Sequence, residues 1–229
     1  SLLFEGSYGK KVYNRGLFFE KLIFKHVDHT ICISNNVKKY FYSNLNLNNK
    51  NISTVYYGVR YENLQHKTNI KKKYRFKKNT IYICNVARHI KQKNLFFLLD
   101  AFKDILEKYK NKKKFELILV GSGPESSNLK KYAKSLNIYN KINWIGFSDS
   151  VREIISLSNV FCLTSDYEGL GLVLLEAMSI KTPIVAANSS AIPEVIENYK
   201  SGILYNKNDK QSLIKSIEKI LSNKKLKNN

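Results

Sequence analysis

The 229-residue chain is short of acid, sulfur and long apolar runs: 18 Asp and Glu stand against 39 Lys and Arg, with three Cys and one Met. Each shortage excludes something. No stretch reaches the ~18 consecutive apolar residues that would suggest a membrane-spanning helix. Cys32, Cys84 and Cys162 are far apart, in the strand-like stretches TICIS, IYICNV and VFCLTS. None has the close Cys or His spacing of a zinc site, so they read as buried, reduced packing residues of a cytosolic protein. The chain opens SLLFEGSYGKK, without Met, charged leader or small-residue cleavage site, so no secretory signal is expected.

The missing acid leaves a formal net charge of +21 and a pI near 9.7. Such a field points to nucleic acid, an anionic membrane or a phosphorylated ligand. The excess is almost all Lys, in company with Asn, Ile, Tyr and Phe, a set that AT-rich coding DNA enriches without selection for binding. Both readings stand. No recognition helix, zinc motif or RNA-binding aromatic motif supports nucleic acid. Hydrophobic content of 43% and charged content of 25% are ordinary for a globular protein.

What is present is alternation. Strands are expected at 30–34, 52–56, 80–86, 115–120, 141–145, 159–163 and 183–187, and a further one at 203–205. Helices are expected at about 11–26, 35–44, 94–110, 125–136, 150–157, 171–180 and 209–222. Short apolar strands between amphipathic helices imply βα units: an α/β, doubly wound parallel sheet. The basic stretch QHKTNIKKKYRFKKN, 65–79, reads as a linker. It separates a partial first domain, 1–64, from a complete one, 80–229. With only two strands the first part cannot close a core of its own. The chain therefore reads as a fragment cut inside its first domain.

In open parallel sheets, ligands bind beyond the carboxyl ends of the strands. Four stretches fall there. In NVARHIKQKN, Arg88 and Lys93 could clamp a diphosphate, or be two solvated cations. In VGSGP, Gly121 and Gly123 permit close backbone approach to a ligand, or serve a plain strand-to-helix turn. No Gly-Lys-Ser/Thr follows, so this is not a P-loop. In WIGFSDS, backbone near Phe147 and Ser148 could meet a base, and Asp149 could cap the next helix. In SDYEGLGLVLLEAM, Gly169 and Gly171 flank Leu170 at a helix start, where free N–H groups favour an anion. Glu176 lies one turn inside an almost wholly apolar helix, where an unpaired carboxylate is costly. It either accepts from ribose hydroxyls or forms a salt bridge with a Lys.

EGLGLVLLEAM, with Glu168 and Glu176 in an E-x7-E arrangement, resembles the group 1 glycosyltransferases. ARHIKQKN, ILVGSGP, IGF, TPIVAANSSAIPEVI and GILYNKND resemble further stretches of that family, in the same order. VDHTICIS and ISTVYYGVRYENL resemble the end of its first domain. The resemblance implies the GT-B architecture of two facing Rossmann-like domains and a retaining transfer from a UDP- or GDP-sugar without a metal. It implies that Glu176 binds ribose and that Arg88 and Lys93 bind the diphosphate with the backbone of Leu170, Gly171 and Leu172. Glu168 would orient the sugar, and the base would meet backbone near Ser148. Three departures stand out. Lys181 replaces a common Gly, and Ser189-Ser190 a common Gly-Gly, both expected to bear on which sugar fits. YYGVR replaces Asn-Gly-Val-Asp, placing Tyr57 and Arg60 at the cleft. His89 neighbours the clamp and reads as structural.

The expected protein is thus a bacterial hexosyltransferase for cell-surface polysaccharide. It would act on a glycan or lipid-linked acceptor, in the cytoplasm at the inner face of the plasma membrane. The stretch GLFFEKLIFKH, 16–26, and the positive charge would favour an anionic membrane surface. Nucleic acid is not an expected partner, and the fragment alone is expected to be inactive. The rivals are a nucleotide-sugar epimerase or a phosphorylase of the same fold, and a non-catalytic basic binding protein.

Overall fold

The computed structural model describes residues 18, 19, 22–24, 26–45, 51–60 and 67–223. The aliphatic run TIYICNV forms β3 (Thr80–Val86) and FELILV lies in β4 (Lys114–Val120). With β5 (Ile142–Ile145), β6 (Val160–Leu163), β7 (Ile184–Ala187) and β8 (Ile203–Tyr205) they make one parallel sheet in the order β5-β4-β3-β6-β7-β8. Every residue of β6 and β7 is buried, so both faces of the sheet are covered. One face carries α3 (Leu95–Lys108), which contacts α4 (Ser126–Ser135) and α8 (Lys210–Ser222). A second group comprises α2 (Lys67–Lys73), α5 (Val151–Ser156) and α6 (Leu172–Ser179), with α5 contacting both of the others. A four-residue helix, α7 (Ile192–Val195), follows β7.

Chain order runs outward from β3 to β5 on one side and from β6 to β8 on the other. The reversal lies between β3 and β6, the switch point of a doubly wound sheet. Those strands pair only through Ile83↔Val160 and Cys84↔Phe161. Beyond that pair the Asn85 amide donates to the Cys162 carbonyl at 2.8 Å. A buried side chain thus bridges the strands where a ladder bond would otherwise stand.

A second, two-stranded parallel sheet joins β1 (Thr30–Cys32) to β2 (Ile52–Thr54) through α1 (Asn35–Leu45). Its own core is small: Cys32, Val37 and Ile52. Within the expected linker, α2 buries Ile70 against the main core. Of the expected helix at 11–26, 18, 19 and 22–24 are described and helical, His26 is described as a turn, and the rest lies outside the described residues. Cys32, Cys84 and Cys162 are buried free thiols. Burial pushes Cys84 up to about 12.

Candidate functional site

The loop after β3 and the loop after β6 meet at the switch point and are tied together. Gln92 Nε2 donates to the Tyr167 carbonyl (2.8 Å), and Asp166 N–H donates to the Gln92 carbonyl (2.8 Å). Thr164 Oγ1 donates to the Lys93 carbonyl at 3.0 Å. Across this seam Lys93 Nζ lies 2.6 Å from Glu168 Oε1, with side chains only 18% and 9% exposed. The two charged residues expected to serve diphosphate and sugar therefore pair with each other. Arg88 stands differently: it is exposed, and no ion pair holds it among the described residues. The cations five positions apart are not equivalent. One is fixed in a largely buried pair and the other is open to an anion.

Sequence spacing alone offered two uses for the glycines after β4, and the structure shows what fills the space. A Cβ on Gly121 would lie 2.1 Å from the Ala87 carbonyl oxygen, and one on Gly123 would lie 2.5 Å from that of His89. The close approach is made by the β3 loop itself. His89 N–H donates to the Ser122 carbonyl (3.0 Å) and Glu125 N–H to that of His89 (3.0 Å). The His89 ring is buried, with Nδ1 2.9 Å from Ser126 Oγ, and burial lowers its pKa. Gly121 and Gly123 seat the loop that carries Arg88.

At the end of β5 the expectation for Asp149 is corrected. Helix α5 begins at Ser150 as N-cap, with no side-chain cap bond. Ser148 Oγ instead accepts from Ser150 N–H at 3.2 Å and lies 3.3 Å from the Tyr74 hydroxyl. That fixes Ser148 in a turn and leaves Phe147 88% exposed.

The start of α6 is uncapped by any side chain, and its N-cap Gly171 has φ 86°. Only glycine takes that conformation without strain. Leu170 is buried and Leu172 is 46% exposed. Orphan N–H groups at α6 thus adjoin the Lys93–Glu168 pair, and the helix dipole favours an anion there. Glu176, one turn on, is half-buried, and no Lys pairs with it among the described residues. Burial raises its pKa, opposed by the charge of Arg152. Among the described residues, then, Glu176 makes no Lys salt bridge. Its carboxylate is partly desolvated, which suits an acceptor waiting for donors.

Lys181 and Ser190 both keep the left-handed backbone that glycine favours, at φ 58° and 54°. Lys181 stops α6: its N–H donates to Met178 O and that of Thr182 to Ala177 O, each at 3.0 Å. It lies at the far end of α6 from Gly171, which corrects the expectation that it bears on the sugar. Ser190 is close to the site. Its hydroxyl donates to the Glu168 carbonyl at 2.6 Å.

Composition of the first, smaller sheet gave no hint of its contacts with this site. Gly169 packs against Ile33, and Glu194 of α7 reaches the start of α1. Tyr56, rather than the neighbouring Tyr57, makes the contact, donating to Glu194 Oε2 at 2.7 Å. Tyr57 and Arg60 are exposed. Among the described residues no group of three His, Cys, Asp or Glu could hold a metal ion, and no helix is long and apolar enough to cross a membrane.

Strand order, splayed switch point and anion-favouring helix start define a Rossmann-like domain of the GT-B type. Residues 66–229 match the family described as Glycosyl transferases group 1, and the chain belongs to that family. An uncharacterised glycosyltransferase of Haemophilus influenzae is 33% identical over 145 residues, 63% of this chain and 40% of that protein. The N-acetyl-alpha-D-glucosaminyl L-malate synthase of Bacillus anthracis is 30% identical over 79% of this chain and 47% of its own length. The UDP-Gal:alpha-D-GlcNAc-diphosphoundecaprenol alpha-1,3-galactosyltransferase of Escherichia coli is 27% identical over 97% of this chain and 59% of its own. The chain spans about half the length of the curated relatives it matches. Among solved structures, Anabaena HepE in complex with UDP and glucose superposes with a TM-score of 0.78 at 20% identity, covering 87% of this chain and 55% of that one. WaaG, a glycosyltransferase involved in lipopolysaccharide biosynthesis, gives 0.80 at 14% identity, covering 99% and 62%.

Proposed function

We propose that this chain carries the donor half of a retaining hexosyltransferase. It takes a sugar from a UDP- or GDP-sugar to a glycan or lipid-linked acceptor in cell-surface polysaccharide synthesis. The observation that carries this is the uncapped start of α6 beside Lys93, with the partly desolvated Glu176 one turn further on. Anion below and hydroxyl donors above describe a nucleoside diphosphate. The Escherichia coli relative, a UDP-Gal galactosyltransferase, and HepE, solved in complex with UDP, support the same ligand class. Arg88, Lys93 and the N–H groups of Leu170, Gly171 and Leu172 meet the diphosphate, whose charge grows as the sugar leaves. Fixed cations and dipoles stabilise that charge without reorganising, and the reaction assigns no role to a metal. Glu168 holds the sugar in line for transfer. Phe147 and the backbone at Ser148 border the base.

UDP or GDP at ~100 times its dissociation constant should raise stability by about 2.7 kcal/mol. Glu176→Gln should then weaken that binding by about 1.5–3 kcal/mol, roughly 10- to 150-fold, because hydrogen bonds to a charged acceptor are lost. Without ligand the same variant should melt no lower. The raised pKa means that the folded chain favours the protonated carboxyl, so stability falls as pH rises from the ordinary Glu range through the elevated value. A neutral amide removes that penalty. Titration calorimetry and a thermal scan check the pair of outcomes. Unchanged binding by a destabilised variant would assign Glu176 to structure.

We further propose that the acceptor side faces an anionic lipid surface. Phe18, Phe19 and Ile23 are 60%, 57% and 62% exposed on a helical stretch of a chain with net charge +21. Apolar insertion and charge attraction add at such surfaces. The full-length protein should co-sediment with vesicles holding anionic lipid at low salt, and much less with neutral ones. Equal, negligible sedimentation with both would remove this part.

A further inference from the structure

Helix α1 leaves its first amides without intrahelical partners, as every helix does. Ser34 Oγ accepts from Val37 N–H at 3.1 Å, as a serine N-cap does. The amides of Asn35 and Asn36 find theirs in the other sheet. Glu194 Oε2 accepts from Asn35 N–H and Oε1 from Asn36 N–H, each at 2.7 Å. Tyr56, which follows β2, donates its hydroxyl to the same carboxylate, and Asn35 Nδ2 donates to that hydroxyl at 2.7 Å. Thr54 Oγ1 closes the set by donating to Asn35 Oδ1 at 2.9 Å. One carboxylate thus ties both elements of the small sheet to the large one.

Four residues before Glu194, Ser190 connects this junction to the candidate site. Its hydroxyl donates to the Glu168 carbonyl at 2.6 Å, with Asn36 Oδ1 3.2 Å away. The same oxygen accepts from Glu168 N–H at 3.2 Å. Both backbone groups of Glu168 are therefore held by one side chain. Next to it, a Cβ on Gly169 would lie 3.0 Å from Ile33 Cδ1 and 3.9 Å from Val37 Cγ2, so the two sheets pack closely there. A serine at φ 54° accepts backbone strain that glycine would not. The hydroxyl is what a serine adds there.

We propose that Glu194 and Ser190 are positioning residues, a lock across the two sheets that fixes Glu168 against the donor sugar. This deepens the nucleotide-sugar reading and rests on it for the role of Glu168. Glu194 sets the place of α1, and α1 brings Asn36 Oδ1 within 3.2 Å of Ser190 Oγ, where it shares the hydroxyl proton with the Glu168 carbonyl. Ser190 in turn holds the Glu168 backbone. Opening of the two sheets at this junction would withdraw Asn36 from Ser190 and loosen its hold on the Glu168 backbone, while Lys93 keeps its pair with the Glu168 carboxylate and the diphosphate contacts stay in place. The lock therefore acts on the sugar and not on the nucleotide.

Two variants test it. Ser190→Gly removes the hydroxyl and relieves the left-handed backbone, so it should fold as well as the wild type. Glu194→Ala removes the cap. UDP, GDP, UDP-glucose, UDP-galactose and GDP-mannose are titrated against the full-length protein. In both variants the preference for the best sugar nucleotide over its parent nucleotide should shrink at least about fivefold. Affinity for the parent should change less than about twofold. A merely structural role would lower both affinities alike or only the melting temperature. An unchanged preference in both variants overturns the lock. Amide exchange, followed by NMR, decides separately whether the cap exists. Asn35 and Asn36 should exchange at least about tenfold faster in Glu194→Ala, and unchanged exchange also overturns it. If the wild type binds none of the five ligands, the nucleotide-sugar reading fails, and with it the role given to Glu168. The exchange result still confirms or refutes the cap.

Discussion

Lys93→Ala should lower stability by about 3 kcal/mol and weaken diphosphate binding as well. The variant leaves Glu168 behind, 9% exposed, with its counter-charge gone. Breaking a buried ion pair from one side costs about 3–5 kcal/mol, because the remaining charge stays desolvated. The 18% exposure of the Lys93 side chain places this pair at the lower end. The reason is Glu168 and not Lys93, so a second change should show it. Adding Glu168→Gln to Lys93→Ala should recover most of the stability and none of the binding. Binding should separate by ligand: UDP should lose about tenfold or more while uridine is unaffected, since only the diphosphate meets the ammonium. Arg88→Ala supplies the contrast. Arg88 is exposed, so its loss should leave stability within about 0.5 kcal/mol. It should still weaken UDP more than uridine. Urea unfolding and calorimetric titration give both quantities. A stability loss below about 1 kcal/mol for Lys93→Ala would show that the pair is solvated in solution.

Gly121→Ala should destabilise by about 4 kcal/mol or more, a large part of the ~5–15 kcal/mol that holds a domain together. Two separate obstacles add. The residue has φ 121°, a region that L side chains rarely enter. The new Cβ would also stand 2.1 Å from the Ala87 carbonyl oxygen. That atom is backbone and cannot rotate aside. It belongs to a segment held by Ala87 N–H to Val120 O and His89 N–H to Ser122 O, both 3.0 Å. Relief would require lifting the whole β3 loop, and Arg88 and Lys93 with it. The variant should be largely insoluble or show a much lower urea midpoint. Gly146→Ala is the control. No atom lies within 4 Å of its Cβ, so the change should stay within about 0.5 kcal/mol. A Gly121→Ala protein with an unshifted midpoint would mean that the turn has another conformation in solution.

The strands were legible because burial on both faces demands unbroken aliphatic runs. TIYICNV and FELILV declare themselves without any partner in view. The helices were legible from apolar spacing between these runs, and α1, α3 and α8 lie within two residues of their expected bounds. Four-residue α7 was not, because one turn has no periodicity to read. The E-x7-E spacing marked Glu168 and Glu176 as a pair of interest, since one lies just outside the helix and the other one turn in. A cap such as Asp149 was offered by residue type but declined by geometry, because α5 begins one residue later, with Ser150 as N-cap.

By itself the sequence determined the βα alternation, the positions of the glycine turns, and which loops lie at strand ends. Those follow from regularities two to four residues apart, which a chain carries locally. Tertiary structure alone decided that Lys93 meets Glu168, 75 positions away, and that Glu194 caps a helix that begins 159 positions before it. It also decided that Ala87 fills the space beside Gly121. The physical reason lies in the parallel sheet. Six strands bring their carboxyl ends to one edge, so loops far apart in sequence must meet there. Which charges pair there depends on strand order and on the splay between β3 and β6, and no local pattern records either.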